Sequence, residues 1–439
     1  MLKDRFEQPL SSASDDAVAH YVTGLDCLLS ANLGAEQALD AALRADPDFA
    51  LAHIARARAL QMAARSPEAQ QAAATARELA GTCGERERSH IEIVALGVEG
   101  RGAEAFAALN AHLVSNPRDA LPLSLALGVY GLFGFSGRAD HHAAQRDLLE
   151  RLAPHWDSDW WFLTYLGWSH VETGNRAHGI DLLEQALAGN PNNAHAAHAR
   201  AHGYYETGEA EAGAQFIAEW LPTYDSASPL HCHIAWHLAL FVFHMGDTAR
   251  ASAVYDAHIQ PAVSQAVPMF TLIDNAAFLW RAQIYGQPSA PAADRATAEY
   301  ARQHFPDAGL AFVNVHTAMA LAAAGDHVAS VHHLESVEAL VADDRQPPGP
   351  VVATICAGIT AFGRGDYGAA AGDFAKSLHD LDRIGGSHAQ RDVVIDSLIA
   401  AHLRAGQPDK ARDVMKERAQ ERAAHLDQDW LGRVSAALS

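Results

Sequence analysis

The stretch Trp160–Pro191, WWFLTYLGWSHVETGNRAHGIDLLEQALAGNP, decides the fold. Counted from Trp160, it sets Gly167, His170, Gly179, Ala186 and Pro191 on a small–aromatic–small–proline grid, the pattern of two helices joined by a tight turn. Small side chains at those places let the two helices approach closely. Glu172-Thr173-Gly174 then recurs as Glu206-Thr207-Gly208, 34 residues later. Working outward, turn glycines follow at Gly246, Gly286, Gly325, Gly365 and Gly406, at intervals of 40, 39, 40 and 41. Each ends an Ala- and aromatic-rich run, as a helix-terminating glycine should. Toward the N-terminus, Asp46-Pro47-Asp48, Gly100-Arg101-Gly102 and Asn116-Pro117 punctuate hairpins of the same kind.

Period-2 strand patterning is essentially missing, so the expected class is all-α. A 34-residue period is that of tetratricopeptide helical hairpins. Seven to ten of them are expected, stacked into a right-handed α-solenoid. Residues 1–15 read as an irregular lead-in and 16–439 as a single solenoid. The Pro- and Gly-rich breaks at Gln287–Ala293 and Gln346–Pro350 read as loops between repeats, because the repeat phase continues across both.

Apolar residues make up 49% of the chain and charged residues 19%, a composition suited to close-packed helices rather than disorder. The net charge of −21, with no basic run, argues against a nucleic-acid partner. Four cysteines without CxxC spacing (Cys27, Cys83, Cys232, Cys356) fit a reducing compartment and no disulfide framework. The polar start and the lack of a long apolar run lead us to expect a soluble cytoplasmic protein that does not engage a membrane.

Chemistry concentrates in two His-x-x-x-His pairs, His198/His202 and His233/His237. A four-residue step is about one helical turn, so each pair projects from one helix face. Both pairs fall on first helices of hairpins, the helices that line the concave side, where Trp236 joins them. Asp274 and Arg281 share a face of the next inner helix, and His316 lies on the one after. The segment His388-Ala389-Gln390-Arg391-Asp392 opens a later inner helix, whose free N–H groups together with Arg391 favour an anion. The residues expected to act on protons are His202, His237, Asp274, His388 and Arg391. Those expected to bind a ligand are His198, His233, Trp236, Arg281, His316, Gln390 and Asp392.

Each has a plainer reading beside it. A single imidazole on an inner helix is usually a hydrogen-bonded packing residue, but four in consecutive hairpins are costly to bury without function. The tryptophans read first as core. Asp274 and Arg281 can simply neutralise one another, and Gly385-Gly386-Ser387 can be a turn with an N-cap. His141, His142, His332 and His333 read as exposed and solvated. Cys232, between His231 and His233, is a weak candidate for an activated thiol, since helical neighbours point about 100° apart.

Several segments, taken in order, resemble the tetratricopeptide repeat protein 38 family. They are Pro9-Leu10-Ser11-Ser12-Ala13-Ser14, Ala45-Asp46-Pro47-Asp48-Phe49, His198-Ala199-Arg200-Ala201-His202, Trp236-His237-Leu238-Ala239-Leu240, Tyr255-Asp256-Ala257-His258-Ile259, Asp274 with Leu279-Trp280-Arg281, and Gly385–Asp392. Ile234 departs from the Asn that the family pattern carries there. The resemblance implies an all-helical tetratricopeptide-like fold and a soluble intracellular protein; it implies no activity.

The first functional expectation is a solenoid binding a small polar or aromatic molecule in a His/Trp/Asp/Arg-lined concave pocket. The second is an enzyme without an organic cofactor, its His pairs serving as general acid and base in hydrolysis or another proton transfer. The third is a protein-interaction scaffold. Nucleotide motifs and a G-x-S-x-G elbow are missing, so no organic cofactor is expected. A transition metal competes for the His pairs, which at four-residue helical spacing suit zinc. Helices roughly 9–10 Å apart make it demanding for both pairs to share one ion, and no metal is assigned.

Overall fold

The computed structural model describes residues 2–287, 290–421 and 432. Part of the Gln287–Ala293 break and the end of the 16–439 span lie outside those residues. Among them the chain is all-α, a solenoid of paired helical hairpins, with one isolated bridge between Lys3 and Pro9 and no strand. The N-terminal helices are α1 (Asp15–Leu29), α2 (Ala35–Ala45), α3 (Ala50–Met62), α4 (Ser66–Leu79), α5 (Glu85–Val98), α6 (Gly102–Ser115), α7 (Ala120–Ser124), α8 (His141–Leu152), α9 (Trp160–Glu172) and α10 (Arg176–Gly189). Then come α11 (Ala194–Thr207), α12 (Ala210–Trp220), α13 (His231–His244), α14 (Thr248–Val254), α15 (Pro268–Ile284), α16 (Pro291–His304), α17 (Ala311–Ala323) and α18 (His327–Ala342). The last are α19 (Val351–Gly363), α20 (Tyr367–Ser377), α21 (His388–Arg404) and α22 (Pro408–Glu421). Twenty-two helices taken in pairs exceed the seven to ten hairpins expected. The excess lies toward the N-terminus, where some turns lack the glycine that marks them in sequence. Ala64, between α3 and α4, has φ 59° in such a turn.

The later turns share one construction. Gly246, Gly286, Gly325, Gly365 and Gly406 have φ between 70° and 82°. In each, the glycine N–H bonds the carbonyl three residues back, and the next N–H bonds the carbonyl five back. Gly325 to Ala322 at 3.0 Å and Asp326 to Leu321 at 3.1 Å are examples. This left-handed closure satisfies the last carbonyls of the first helix. Asp247, Asp326 and Asp366 then cap the second helix through their side chains.

Two compact units are distinguishable. The first comprises Met1–Phe133, Ala144–Gly167 and Asp181–Ala196. Its aromatic core gathers Phe6, Trp156, Trp161 and Phe162, with Trp156 stacked on Phe162 at 4.8 Å. Buried Asp119 takes hydrogen bonds from Arg86, His90 and His112, and although burial opposes it, these contacts hold its carboxyl well below the usual range.

The second unit comprises Gly134–Ala143, Trp168–Ile180 and Ala197–Ser439. Its helices fall into two kinds. α13 is buried from His231 through Phe243, and α15, α17 and α21 are buried over nearly all their turns. Their partners bury one narrow stripe; α16 buries only Asp294, Thr297, Ala298 and Ala301. A helix covered all round is an inner helix, and one with a single apolar stripe faces water. Small residues set the spacing: a Cβ added to Gly358 would lie 2.9 Å from the Phe374 ring. The inner helices therefore carry their polar side chains into the interior, where each needs a partner.

Candidate functional site

The first helices α11 and α13 project the two His pairs toward each other. His198 and His202 lie one turn apart on α11, as do His233 and His237 on α13. The ring centroids of His198 stand 4.6 Å from His202, 4.7 Å from His233 and 5.1 Å from His237. His202 and His237 are 4.7 Å apart. One ring nitrogen from each of the four lies within 4.8 Å of the others.

Carboxylates orient two of these rings. Nδ1–H of His202 donates to Oε1 of Glu172, on the last turn of α9, at 2.8 Å. Nδ1–H of His233 donates to Oδ1 of Asp274, on α15, at 2.7 Å. A carboxylate only accepts, so each ring carries a proton on Nδ1, and in its neutral form each would present a lone pair at Nε2. Nε2 of His202 lies 3.0 Å from Nε2 of His198. Trp236 stacks flat on His233, centroids 5.4 Å apart. His237 is 0% exposed, and neither ring nitrogen has a hydrogen-bond partner among the described residues. Burial first, and then neighbouring His202 and His233, hold its pKa well below the ordinary imidazole value.

Glu172 also faces the other way. Its Oε2 accepts the backbone N–H of His388 at 3.1 Å and lies 3.7 Å from Nδ1 of the same residue. Nδ1–H of His388 donates to Oε1 of Glu206 at 3.1 Å, and Glu206 pairs with Arg176 at 3.4 Å. Burial pulls the His388 pKa down, but attraction to Glu172 and the bond to Glu206 prevail, and it is raised above 6.5. The side chain keeps 34% of its exposure, whereas both carboxylates are fully enclosed. Glu172 is pushed up by burial and pulled down further by His388, His202 and His142, so it stays ionised.

The remaining expected residues are placed as follows. Arg391 is 3% exposed; it donates to the Gly386 carbonyl and to Nε2 of His142 at 3.3 Å, and forms an ion pair with Asp382 at 2.7 Å. Gln390 closes a capping box with Ser387. Asp392 accepts from the Tyr205 hydroxyl. Arg281 donates to the Ala389 carbonyl at 2.7 Å and faces Asp396 at 3.7 Å, so it does not neutralise Asp274. His316 bonds the Phe312 carbonyl of its own helix at 2.7 Å, apart from the quartet. The geometry thus brings together His198, His202, His233, His237, Trp236 and Asp274, joined to His388 through Glu172.

Two sequence readings need correction. His141 and His142 are buried, not solvated, at 3% and 7% exposure. They open α8, where tertiary packing covers a polar-looking pair that no periodicity marks. His333 is half-buried, its Nε2 on the Asn314 carbonyl at 2.9 Å. The acids of the site, Glu172 and Glu206, carried a signal that went unread. The repeated Glu-Thr-Gly places one glutamate on the last turn of two consecutive inner helices. The thiol of Cys232 is pushed well above its ordinary value by burial and by Asp274, which leaves it protonated and unreactive.

No family model matches the chain. Among solved structures, a human IFIT1 dimer with m7Gppp-AAAA is similar at 15% identity and a TM-score of 0.44, covering 100% of this chain and 97% of that one. The same dimer with PPP-AAAA matches at 15% identity and 0.43, over 100% and 97%. Naa15/Naa10 bound to HypK-THB matches at 14% identity and 0.21, over 91% and 68%. These likenesses assign no ligand to this chain. The IFIT1 structures hold PPP-AAAA and m7Gppp-AAAA, contrary to the exclusion of nucleic acid drawn from net charge, and that exclusion is withdrawn. A charge of −21 is a sum over the whole chain and does not fix the potential at any one groove. What stands is a tetratricopeptide-like helical-repeat fold. Among the described residues no helix is long and apolar enough to cross a membrane.

Proposed function

We propose that this chain is an enzyme that moves protons on a small substrate, by hydrolysis or another proton transfer, at the imidazole–carboxylate group centred on Glu172. The observation that carries the reading is the double use of that carboxylate. One oxygen fixes buried His202 and the other holds half-exposed His388, which also rests on Glu206. His388, kept protonated by two carboxylates, donates; His202, its Nδ1–H fixed, presents Nε2 as acceptor. In a hydrolysis, water loses one proton to the acceptor while the leaving group takes one from the donor. The order of shared motifs supports placing the chain in the tetratricopeptide repeat protein 38 family.

The test is a screen of the full chain against ester, amide, lactone and phosphoester substrates, followed by His388→Gln and His202→Gln on any that turns over. Each variant should lower kcat by roughly 10²–10⁴-fold while keeping its helical content. Unchanged kcat in both variants, or no turnover on any class, contradicts the proposal.

A further inference from the structure

We propose that His198, His202, His233 and His237 form a binding site for one divalent transition-metal ion of the zinc class. Three independent features of the quartet point there. The donor atoms are convergent: a metal at 2.0–2.1 Å from each nitrogen needs tetrahedral ligand atoms ~3.3 Å apart. Nε2 of His198 and Nε2 of His202 already stand at 3.0 Å, and all four donor atoms lie within 4.8 Å of one another.

The second feature is orientation. Glu172 and Asp274 grip Nδ1 of two of the rings, one in each pair. Carboxylate–histidine–metal triads are built this way: the outer carboxylate fixes the tautomer, aims Nε2 at the ion and raises its basicity.

The third is His237. Its ring is fully buried and has no hydrogen-bond partner at either nitrogen among the described residues, although it faces three other imidazoles. A buried polar ring without partners is costly, and a metal ion is the partner this geometry accepts. Oδ2 of Asp274 likewise has no hydrogen-bond partner among the described residues, while its Oδ1 pairs with His233. Four neutral imidazoles backed by two carboxylates match a dication in charge. The all-nitrogen set selects zinc, copper, nickel, cobalt or iron over calcium or magnesium, which prefer oxygen.

The metal site draws on the same atom as the enzymatic reading, Nε2 of His202. With an ion in place that lone pair is a ligand and does not also accept a proton, so the two readings exclude one another at His202 and are separated by the experiment. Binding without turnover leaves the metal site standing and sinks the acid–base proposal. Turnover by a chain that binds no metal does the reverse.

The experiment takes the full chain stripped with a chelator, loaded with Zn²⁺ or Co²⁺ and desalted. Metal content is read by elemental analysis and cobalt coordination by visible absorption. We expect about one ion per chain, nitrogen-type cobalt bands, and a raised melting temperature. The double variant His198→Gln/His237→Gln should abolish both bands and content. Asp274→Asn, which keeps all four ligands, guards against a ligand variant that fails to fold and should weaken binding roughly 10–100-fold. Replacing exposed His327 and His332 should change nothing. Less than about a tenth of an ion per chain, or metal retained by the double variant and lost with the exposed histidines, overturns the proposal.

Discussion

At the scale of single residues, His388 is where solvent meets the buried carboxylates. Its charged form is favoured by Glu172 and Glu206 and opposed by burial and by Arg391; His142 also faces it. Because the folded pKa is raised, its contribution to stability is full below the unfolded value of 6.5 and is lost as pH rises through the folded value. The melting temperature of the native chain relative to His388→Gln should therefore be highest near pH 6 and shrink above pH 7. A difference that grows with pH contradicts the assignment. Glu172→Gln removes the acceptor shared by His202 and His388, both buried or half-buried. It should cost about 2–4 kcal/mol in chemical denaturation, more than a surface change. A loss within about 0.5 kcal/mol would show the bridge to be incidental.

At the scale of elements, the hairpin turn is the repeating device. Gly246, Gly286, Gly325, Gly365 and Gly406 occupy a left-handed position that only glycine takes without strain, and so they were readable in the sequence. Ala64 sits in the same closure, its N–H on the Gln61 carbonyl and Arg65 N–H on that of Leu60. An alanine there stores roughly 1 kcal/mol of backbone strain. Ala64→Gly should stabilise the chain by about that amount in urea denaturation, and destabilisation would mean the turn is built otherwise. Gly358 tests the packing between helices, since its missing Cβ makes room for Phe374. Gly358→Ala should cost about 1–3 kcal/mol, less any gain in helix propensity. No loss would show that the Phe374 ring moves aside freely.

At the scale of the whole molecule, many imidazoles are enclosed. His141, His195, His231 and His316 are each held near pKa 4, chiefly by burial. They stay neutral in the fold and take up protons on unfolding, so stability should fall as pH drops from 6.5 toward 4. Four such groups outweigh the opposite contributions of His388 and of Asp4 and Asp294, whose carboxyls burial pushes up to about 6. The melting temperature at pH 4.5 should lie on the order of 5–10 °C below that at pH 7. A flat profile would mean that water reaches these rings.

The helical class was legible because turn glycines and repeat spacing are local signals. The His pairs were legible because four residues make a turn. Glu172 with His388, and Tyr205 with Asp392, were not: their contacts join residues 216 and 187 positions apart, which no period encodes. Burial of His141 and His142 was hidden for the same reason, being set by packing from distant segments.

Imidazoles from two successive hairpins share one interior centre. A double-mutant cycle on His202→Gln and His237→Gln, read as unfolding free energy in urea, tests it most directly. Rings 4.7 Å apart should couple by about 0.5 kcal/mol or more beyond the sum of the single variants. Additivity within about 0.3 kcal/mol would place the two rings in separate surroundings and contradict the account.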